Sequence, residues 1–297
     1  MKIFITDSMQ KRLNLKSTEN YTFTNNLDED VEVLVGFEST AGKHLKKLPN
    51  LKYILLTTAG FAAVDMDYVK EKQITLTNAK GVFSIPIAES ILSNILAFNR
   101  KHILYYQQQV KSKWIRHDDL IELSGSHIGF LGGGSIAEAT LDVFKGFNVT
   151  SSVYRKSHVL GPFDKVYTDY EGLKKMFKQS DYIINTLPLN DHTKNLVTKE
   201  LLSLCKKDLF YVNVGRGQTN DEEALIEALR MGKIRGAYLD VFQEEPLVGP
   251  LYSVENLIIT PHNSQSSTKN SDRLHKLIKQ NIENILNNKP LINVVND

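Results

Sequence analysis

His127-Ile128-Gly129-Phe130-Leu131-Gly132-Gly133-Gly134-Ser135-Ile136-Ala137 is the stretch on which the reading of this chain turns. Its first five residues form an apolar run of strand length, and residues 136–145 repeat apolar side chains at helical spacing. A strand that enters a glycine turn and leaves it as a helix is the context in which G-x-G-x-x-G/A marks a dinucleotide site. Gly132 permits the tight turn, Gly134 lets the backbone approach a pyrophosphate, and Ala137 is small enough for the helix to lie close on the sheet. The N–H groups of Ser135 and Ile136 at the helix start then face the anion. Three glycines alone read equally well as a flexible turn that binds nothing. The strand before and the helix after favour the nucleotide.

Outward from the turn, strand and helix alternate in both directions. Downstream, strand-like segments at 149–154, 182–185, 209–214, 236–240 and 257–260 are separated by helical patterns at 170–178, 199–205 and 221–231. Upstream, segments 2–6, 31–35, 52–56 and 74–77 are strand-like. A long helix then begins near Ile85-Pro86, with Ala88, Ile91, Leu92, Ile95, Leu96 and Phe98 at three- and four-residue spacing. The alternation predicts an α/β protein with a parallel, doubly wound sheet, since short right-handed crossovers cover both faces with helices. With 297 residues, the chain is expected to hold two cores. A last helix at 268–287 leads to Pro290 and the tail 291–295, placed back on the first domain.

The end of the second strand bears on which dinucleotide fits. An NAD-specific site places an acidic residue there for the ribose hydroxyls. Here the strand ends in Arg155-Lys156-Ser157-His158, cations and small polar groups suited to a 2′-phosphate. NADP(H) is therefore the expected cofactor, with Arg155 as main contact, Lys156 beside it, and NAD(H) still possible. The plainer alternative is two cations standing in water.

Composition removes other classes. Hydrophobic residues make up 41% and charged residues 24%, with a net charge of +2, and the lysines are scattered without the basic block of a nucleic-acid footprint. No apolar stretch approaches membrane-spanning length, so neither nucleic acid nor membrane is expected as partner, and the location is read as cytoplasmic. Cys205 stands alone in a leucine-rich helical run and reads as a core residue. The eight histidines form no ligand pair, so no metal is expected.

Several motifs together carry a resemblance over nearly the whole chain. They are Ala59-Gly60-Phe61-Ala62-Ala63-Val64-Asp65, Ala88-Glu89, the glycine turn, Leu187-Pro188-Leu189 with Thr193, Val212-Asn213-Val214-Gly215-Arg216-Gly217, Leu239-Asp240-Val241-Phe242-Gln243-Glu244-Glu245-Pro246, and Thr260-Pro261-His262. In order and spacing the chain resembles the D-isomer-specific 2-hydroxyacid dehydrogenases, in particular those like glyoxylate/hydroxypyruvate reductases.

The resemblance implies a Rossmann cofactor domain at 99–270 and a smaller, discontinuous, flavodoxin-like substrate domain at 1–98 with 271–297. It implies NAD(P)-dependent reduction of a small 2-oxo acid to an (R)-2-hydroxy acid. Arg216 would clamp the substrate carboxylate and polarise the 2-oxo group, His262 would act as acid/base, and Glu245 would be its partner. Asp240 would hold the nicotinamide carboxamide, Leu187, Pro188, Thr193 and Val214 would border the cofactor, and Ala59, Gly60 and Phe61 would edge the substrate pocket.

The chemistry agrees independently of the family. A 2-oxo acid needs a cation for its carboxylate and a proton donor for the developing alkoxide, roles that suit a planar arginine fork and a histidine beside a carboxylate. Plainer duties stay open, namely a structural ion pair for Arg216, an exposed loop acid for Glu245 and a turn cap for His262. Ala62 and Ala63 stand where the family often has polar residues, which leaves the choice of 2-oxo acid open. Members are commonly homodimers, and by resemblance the joining segment is 100–114, with Ile103, Leu104, Tyr105, Tyr106 and Trp114. Two other readings keep the fold: a formate- or phosphite-type dehydrogenase, and a dinucleotide-sensing corepressor-type binding protein. The combination of Arg216, Glu245 and His262 favours chemistry over sensing.

Overall fold

A computed structural model describes residues 1–36, 45–61, 64–159 and 161–295. The chain divides into two compact units, Met1–Phe83 with Ser267–Asp297, and Ser84–Ser266.

In the first unit β1 (Lys2–Phe4), β2 (Thr22–Thr24), β3 (Val33–Val35), β4 (Tyr53–Leu55) and β5 (Thr75–Thr77) pair in parallel in the order β2-β1-β3-β4-β5. That is the flavodoxin-like order 2-1-3-4-5. Both faces of this sheet are covered, and α2 (Met66–Glu71) runs between β4 and β5 in the chain. Phe4, Leu34, Ile54 and Leu76 pack to one side, while Ile3, Val33, Val35 and Leu55 meet Leu274, Ile278 and Ile282 of the last helix, α9 (Asn270–Leu286), on the other. The tail returns to this unit as expected, Val295 donating its N–H to Leu76 O at 2.9 Å and Val294 bridging Thr77 antiparallel.

In the second unit β6 (His127–Leu131), β7 (Thr150–Tyr154), β8 (Lys165–Tyr167), β9 (Tyr182–Asn185), β10 (Phe210–Asn213), β11 (Gly236–Leu239) and β12 (Leu257–Ile259) are also parallel. Their order is β12-β11-β10-β9-β6-β7-β8. Chain order runs one way from β6 to β8 and the other way from β9 to β12, so the switch point of this doubly wound sheet lies where β6 meets β9. Strands β9, β10 and β11 are buried at every position, which is why they read as uninterrupted apolar runs. Helices α3 (Ser84–Asn99), α4 (His102–Val110), α5 (Ser135–Phe144), α6 (Tyr170–Gln179), α7 (Lys199–Leu204) and α8 (Glu222–Arg230) complete it. Asp169, Thr198 and Asp221 cap α6, α7 and α8 by accepting from backbone N–H groups three residues on.

The structure and the sequence reading differ at three places. The compact units part ahead of α3, whereas the sequence reading placed the boundary at 98/99; α3 packs on α5, and its Phe98 ring meets Phe210 tilted at 48° with centroids 4.6 Å apart. Strands β2 and β8 were not expected; each is a three-residue edge strand with an exposed first residue, which leaves little apolar pattern. Two helices lie in stretches for which the sequence reading named no element. The six-residue α1 (Asp7–Arg12) is too short to show a period, and α4 follows Lys101 in the left-handed conformation. Cys205 is buried with its Sγ on Leu201 O, and desolvation pushes its thiol up to about 12.

Candidate active site

Every functional candidate of the second unit stands beyond the carboxyl end of one of its strands, where open α/β sheets bind ligands. At the switch point, Gly132 has φ +88°, and a Cβ there would lie 3.1 Å from Thr186 Oγ1 and 3.3 Å from Leu187 Cδ2. Glycine is required by both conformation and space. At Gly134 a Cβ would meet nothing within 4 Å, and no side chain caps α5, which starts at Ser135. The turn thus offers free N–H groups at a helix N-terminus in open space, which fits a pyrophosphate. Ser135 and Ile136 are half-buried, and Ala137 is fully buried under the helix.

Arg155 follows β7. Its guanidinium lies over the turn, with Nη1 3.2 Å from the position of a Cβ on Gly133, and among the described residues it makes no ion pair. Lys156 is exposed. Across the switch point Leu187 is buried against Gly132 while Pro188 is exposed, and Val214 is buried with its N–H on Asn185 O. Thr193 is nearly buried and holds its own turn together. Its hydroxyl donates to Pro188 O at 2.6 Å and accepts from Asn190 N at 2.8 Å, clamping the 188–193 turn.

Arg216 leaves β10 between two glycines that have no room for a Cβ. One on Gly215 would sit 2.5 Å from Leu187 O, and one on Gly217 1.9 Å from the Phe242 carbonyl carbon. The Arg216 loop is therefore wedged between the loops after β9 and β11. It is pinned from beneath, since the Arg216 carbonyl accepts from Thr219 Oγ1 at 2.6 Å and Asn213 Nδ2 at 3.1 Å. Behind them, Asn185, Tyr211 and Asn220 close a buried hydrogen-bond network. Sequence reasoning missed this support, although an asparagine ending each of two apolar strands, Asn185 and Asn213, is its visible signal. The Arg216 side chain itself is exposed.

Glu245 and His262 come together from loops seventeen residues apart, with Glu245 Oε2 2.6 Å from His262 Nδ1. Glu245 Oε1 accepts from Phe242 N at 3.1 Å, which orients the carboxylate. With Nδ1 on the carboxylate, His262 presents Nε2 without a protein partner among the described residues, and its side chain is 41% exposed. A cavity of about 820 Å³ adjoins the pair, walled by Phe242, Leu247, Leu251, Val254, Leu257 and Ile259.

Asp240, expected by resemblance at the nicotinamide carboxamide, lies in the interior behind the 260–264 loop. It is 1% exposed, and its carboxylate accepts from Thr260 Oγ1, Asn263 N, Ser264 N and Ser264 Oγ. An ionised carboxylate has about four acceptor positions, and the chain's own 260–264 loop supplies four donors to this one. Among the described residues no group of three or more His, Cys, Asp or Glu is placed to hold a metal ion, and no helix is long and apolar enough to cross a membrane.

In the first unit, Ala59 O accepts from Asn78 Nδ2 at 2.9 Å and Gly60 O from Thr58 Oγ1 at 2.8 Å, while the half-buried Phe61 packs on the unit's own core. Ala62 and Ala63 lie outside the described residues.

Comparison with known proteins supplies a context for this geometry. The family described as "D-isomer specific 2-hydroxyacid dehydrogenase, NAD binding domain" matches residues 92–264. The chain is 30% identical over 266 residues to glyoxylate reductase of Pyrococcus furiosus, covering 86% of this chain and 79% of that protein. It is 27% identical over 305 residues to a glyoxylate/hydroxypyruvate reductase A of Arabidopsis thaliana, covering 99% and 96%. Among solved structures, a D-isomer specific 2-hydroxyacid dehydrogenase family protein of Aeromonas salmonicida superposes with a TM-score of 0.82 at 28% identity, covering 99% of this chain and 98% of that one.

Proposed function

Because the chain belongs to the family of D-isomer-specific 2-hydroxyacid dehydrogenases, we propose that it reduces a small 2-oxo acid, of the size of glyoxylate, hydroxypyruvate or pyruvate, to the (R)-2-hydroxy acid with NADPH preferred. As a family member it is an NAD(P)-dependent oxidoreductase; the finer assignment draws on its own residues. The observation that carries it is the Glu245–His262 pair at 2.6 Å, with an imidazole nitrogen left over for a substrate. A dinucleotide sensor needs the glycine turn but no such proton donor.

Gly132, Gly134 and the N-terminus of α5 are the groups that hold the cofactor pyrophosphate, and Arg155, with Lys156 exposed beside it, the 2′-phosphate. When bound, the cofactor supplies the hydride. Arg216 pairs its guanidinium with the substrate carboxylate and draws charge from the neighbouring carbonyl. His262 gives its Nε2 proton to the 2-oxygen as negative charge develops there. Glu245 fixes the ring and its tautomer and offsets the positive charge of the imidazolium.

A homodimer completes the reading. Around α4 the residues Ile103, Tyr106, Val110, Trp114 and Ile115 are exposed, Trp114 at 96%, an apolar patch that a second copy would cover.

Reduced-cofactor oxidation measured against a panel of 2-oxo acids, with NADPH and NADH in parallel, tests the reading. Turnover with NADPH ahead of NADH is expected, and Arg155→Ala should erase that preference. His262→Gln should lower kcat by about a hundredfold or more while cofactor Kd stays unchanged. Tight cofactor binding without turnover on any 2-oxo acid would support the sensing reading instead, and turnover of formate or phosphite with oxidised cofactor the third.

A further inference from the structure

A chain of hydroxyl groups runs through the interior of the second unit to the loop that carries His262. Ser90 Oγ of α3 lies 2.8 Å from Tyr238 Oη of β11, Tyr238 Oη lies 3.0 Å from Thr260 Oγ1, and Thr260 Oγ1 reaches Asp240 Oδ1. We propose that Tyr238, acting through Thr260 and Asp240, is a positioning residue for His262. The proposal rests on the reading of His262 as proton donor.

The direction of the chain is fixed by chemistry. The Asp240 carboxylate only accepts, so Thr260 gives it the single hydroxyl proton it has. Towards Tyr238, Thr260 must then accept, and Tyr238 must donate. Ser90 in turn donates to the tyrosine oxygen. Tyr238 is fully buried, and that burial pushes its hydroxyl above the ordinary phenol range, so it stays a protonated donor. Each donation polarises the next group towards the carboxylate.

What the chain holds is the backbone on either side of His262. Asp240 fixes Thr260 through its hydroxyl, and Asn263 and Ser264 through their N–H groups at 3.0 Å. His262 lies between these anchors with φ +50°, its N–H on Thr260 O at 3.0 Å. A left-handed conformation is unfavourable for a residue with a Cβ, and it persists where the surrounding structure over-determines it. The distance from His262 Nδ1 to Glu245, and the direction of Nε2, depend on that conformation. Loss of the Tyr238 hydroxyl leaves the Thr260 oxygen without the donor that locates it and its bond to Asp240 less polarised, and the anchor ahead of His262 loosens.

The test uses the full-length protein with NADPH and its best 2-oxo acid, comparing Tyr238→Phe, Thr260→Val and Thr260→Ser. Tyr238→Phe and Thr260→Val are expected to lower kcat by about tenfold, with substrate KM and NADPH Kd changed by less than about twofold, because the loss is one of geometry at the reacting centre. Thr260→Ser, which keeps the hydroxyl, should recover kcat to within about twofold of wild type. Wild-type kcat in folded Tyr238→Phe and Thr260→Val overturns the proposal and leaves the functional reading standing. A Thr260→Ser variant as slow as Thr260→Val also overturns it, and the threonine pair decides the matter if Tyr238→Phe does not fold. Absence of turnover in the wild type on any 2-oxo acid removes the functional reading and this proposal with it.

Discussion

Gly134→Ala is expected to weaken cofactor binding and to leave the fold almost untouched. Gly134 has φ −91° and ψ −172°, an extended backbone that alanine adopts freely, and its Cβ would meet no protein atom within 4 Å. The cost to folding is then confined to the poorer cap that alanine makes, about 0.5 kcal/mol, or a Tm lowered by about 1–2 °C for a protein of this size. The same methyl group occupies the open space that the proposed site gives to the pyrophosphate. Pushing a phosphate oxygen out of reach of one charge-assisted hydrogen bond loses about 2 kcal/mol, which raises Kd about 30-fold. Titration of NADPH by fluorescence, beside a thermal melt, reads both quantities. A Kd within about threefold of wild type would refute the assignment of the pyrophosphate to this turn. A large fall in Tm would refute the claim that the space above Gly134 is open.

Gly217→Ala should behave in the opposite way. Its Cβ would lie 1.9 Å from the Phe242 carbonyl carbon, so the Phe242 backbone must retreat and carry Glu245 with it; kcat should fall by about a hundredfold and stability by about 1–3 kcal/mol, with NADPH Kd unchanged, and near-normal turnover would refute the wedged-loop account. Tyr211→Phe leaves Asn220 Oδ1 and Asn185 Nδ2 without their partner at 2.5 and 2.9 Å. The loss is about 2 kcal/mol and about 4–8 °C in Tm, and an unchanged melt would show that the buried network does not support the Arg216 loop. Cys205, its thiol pushed up to about 12 by burial, should resist iodoacetamide in the native protein at mildly alkaline pH and react on unfolding, and rapid native labelling would contradict its burial. Because the unfolded thiol ionises at lower pH than the folded one, Cys205 should make the fold less stable as pH rises from 9.0 towards 12, which pH-dependent denaturant melts of wild type and Cys205→Ala can resolve.

The residues proposed to face ligand were easier to read than the residues that support them. Gly132, Gly134, Arg216, Glu245 and His262 occur in short local motifs, each with its strand directly before it, so chain order alone placed them at strand ends. Strands 127–131 and 182–185 were legible to the residue because burial on both faces demands an unbroken apolar run. The edge strands β2 and β8 were not, since an edge needs little apolar surface and only three residues of each pair. Helix α3 was recognised as a helix, but which neighbours cover it was not legible, because periodicity shows that a face is buried and not what covers it.

Asp240 marks where the sequence stops. An acid at the end of an apolar strand is visible in the sequence, and the motif around it suggests a hand for the cofactor. Whether that carboxylate is free depends on donors from a loop that begins twenty residues later. Only the parallel register that sets Leu239 against Ile259 brings Thr260, Asn263 and Ser264 onto it. The same holds for Tyr238 and Ser90, which are 148 positions apart and share a hydrogen bond. By itself the sequence determined the sheet class and the glycine turn and singled out Arg216, Glu245 and His262 as candidates, because these are written in local spacing. Tertiary structure decided which polar groups are saturated by their neighbours and which remain for a ligand, because saturation is set by distances that packing alone fixes.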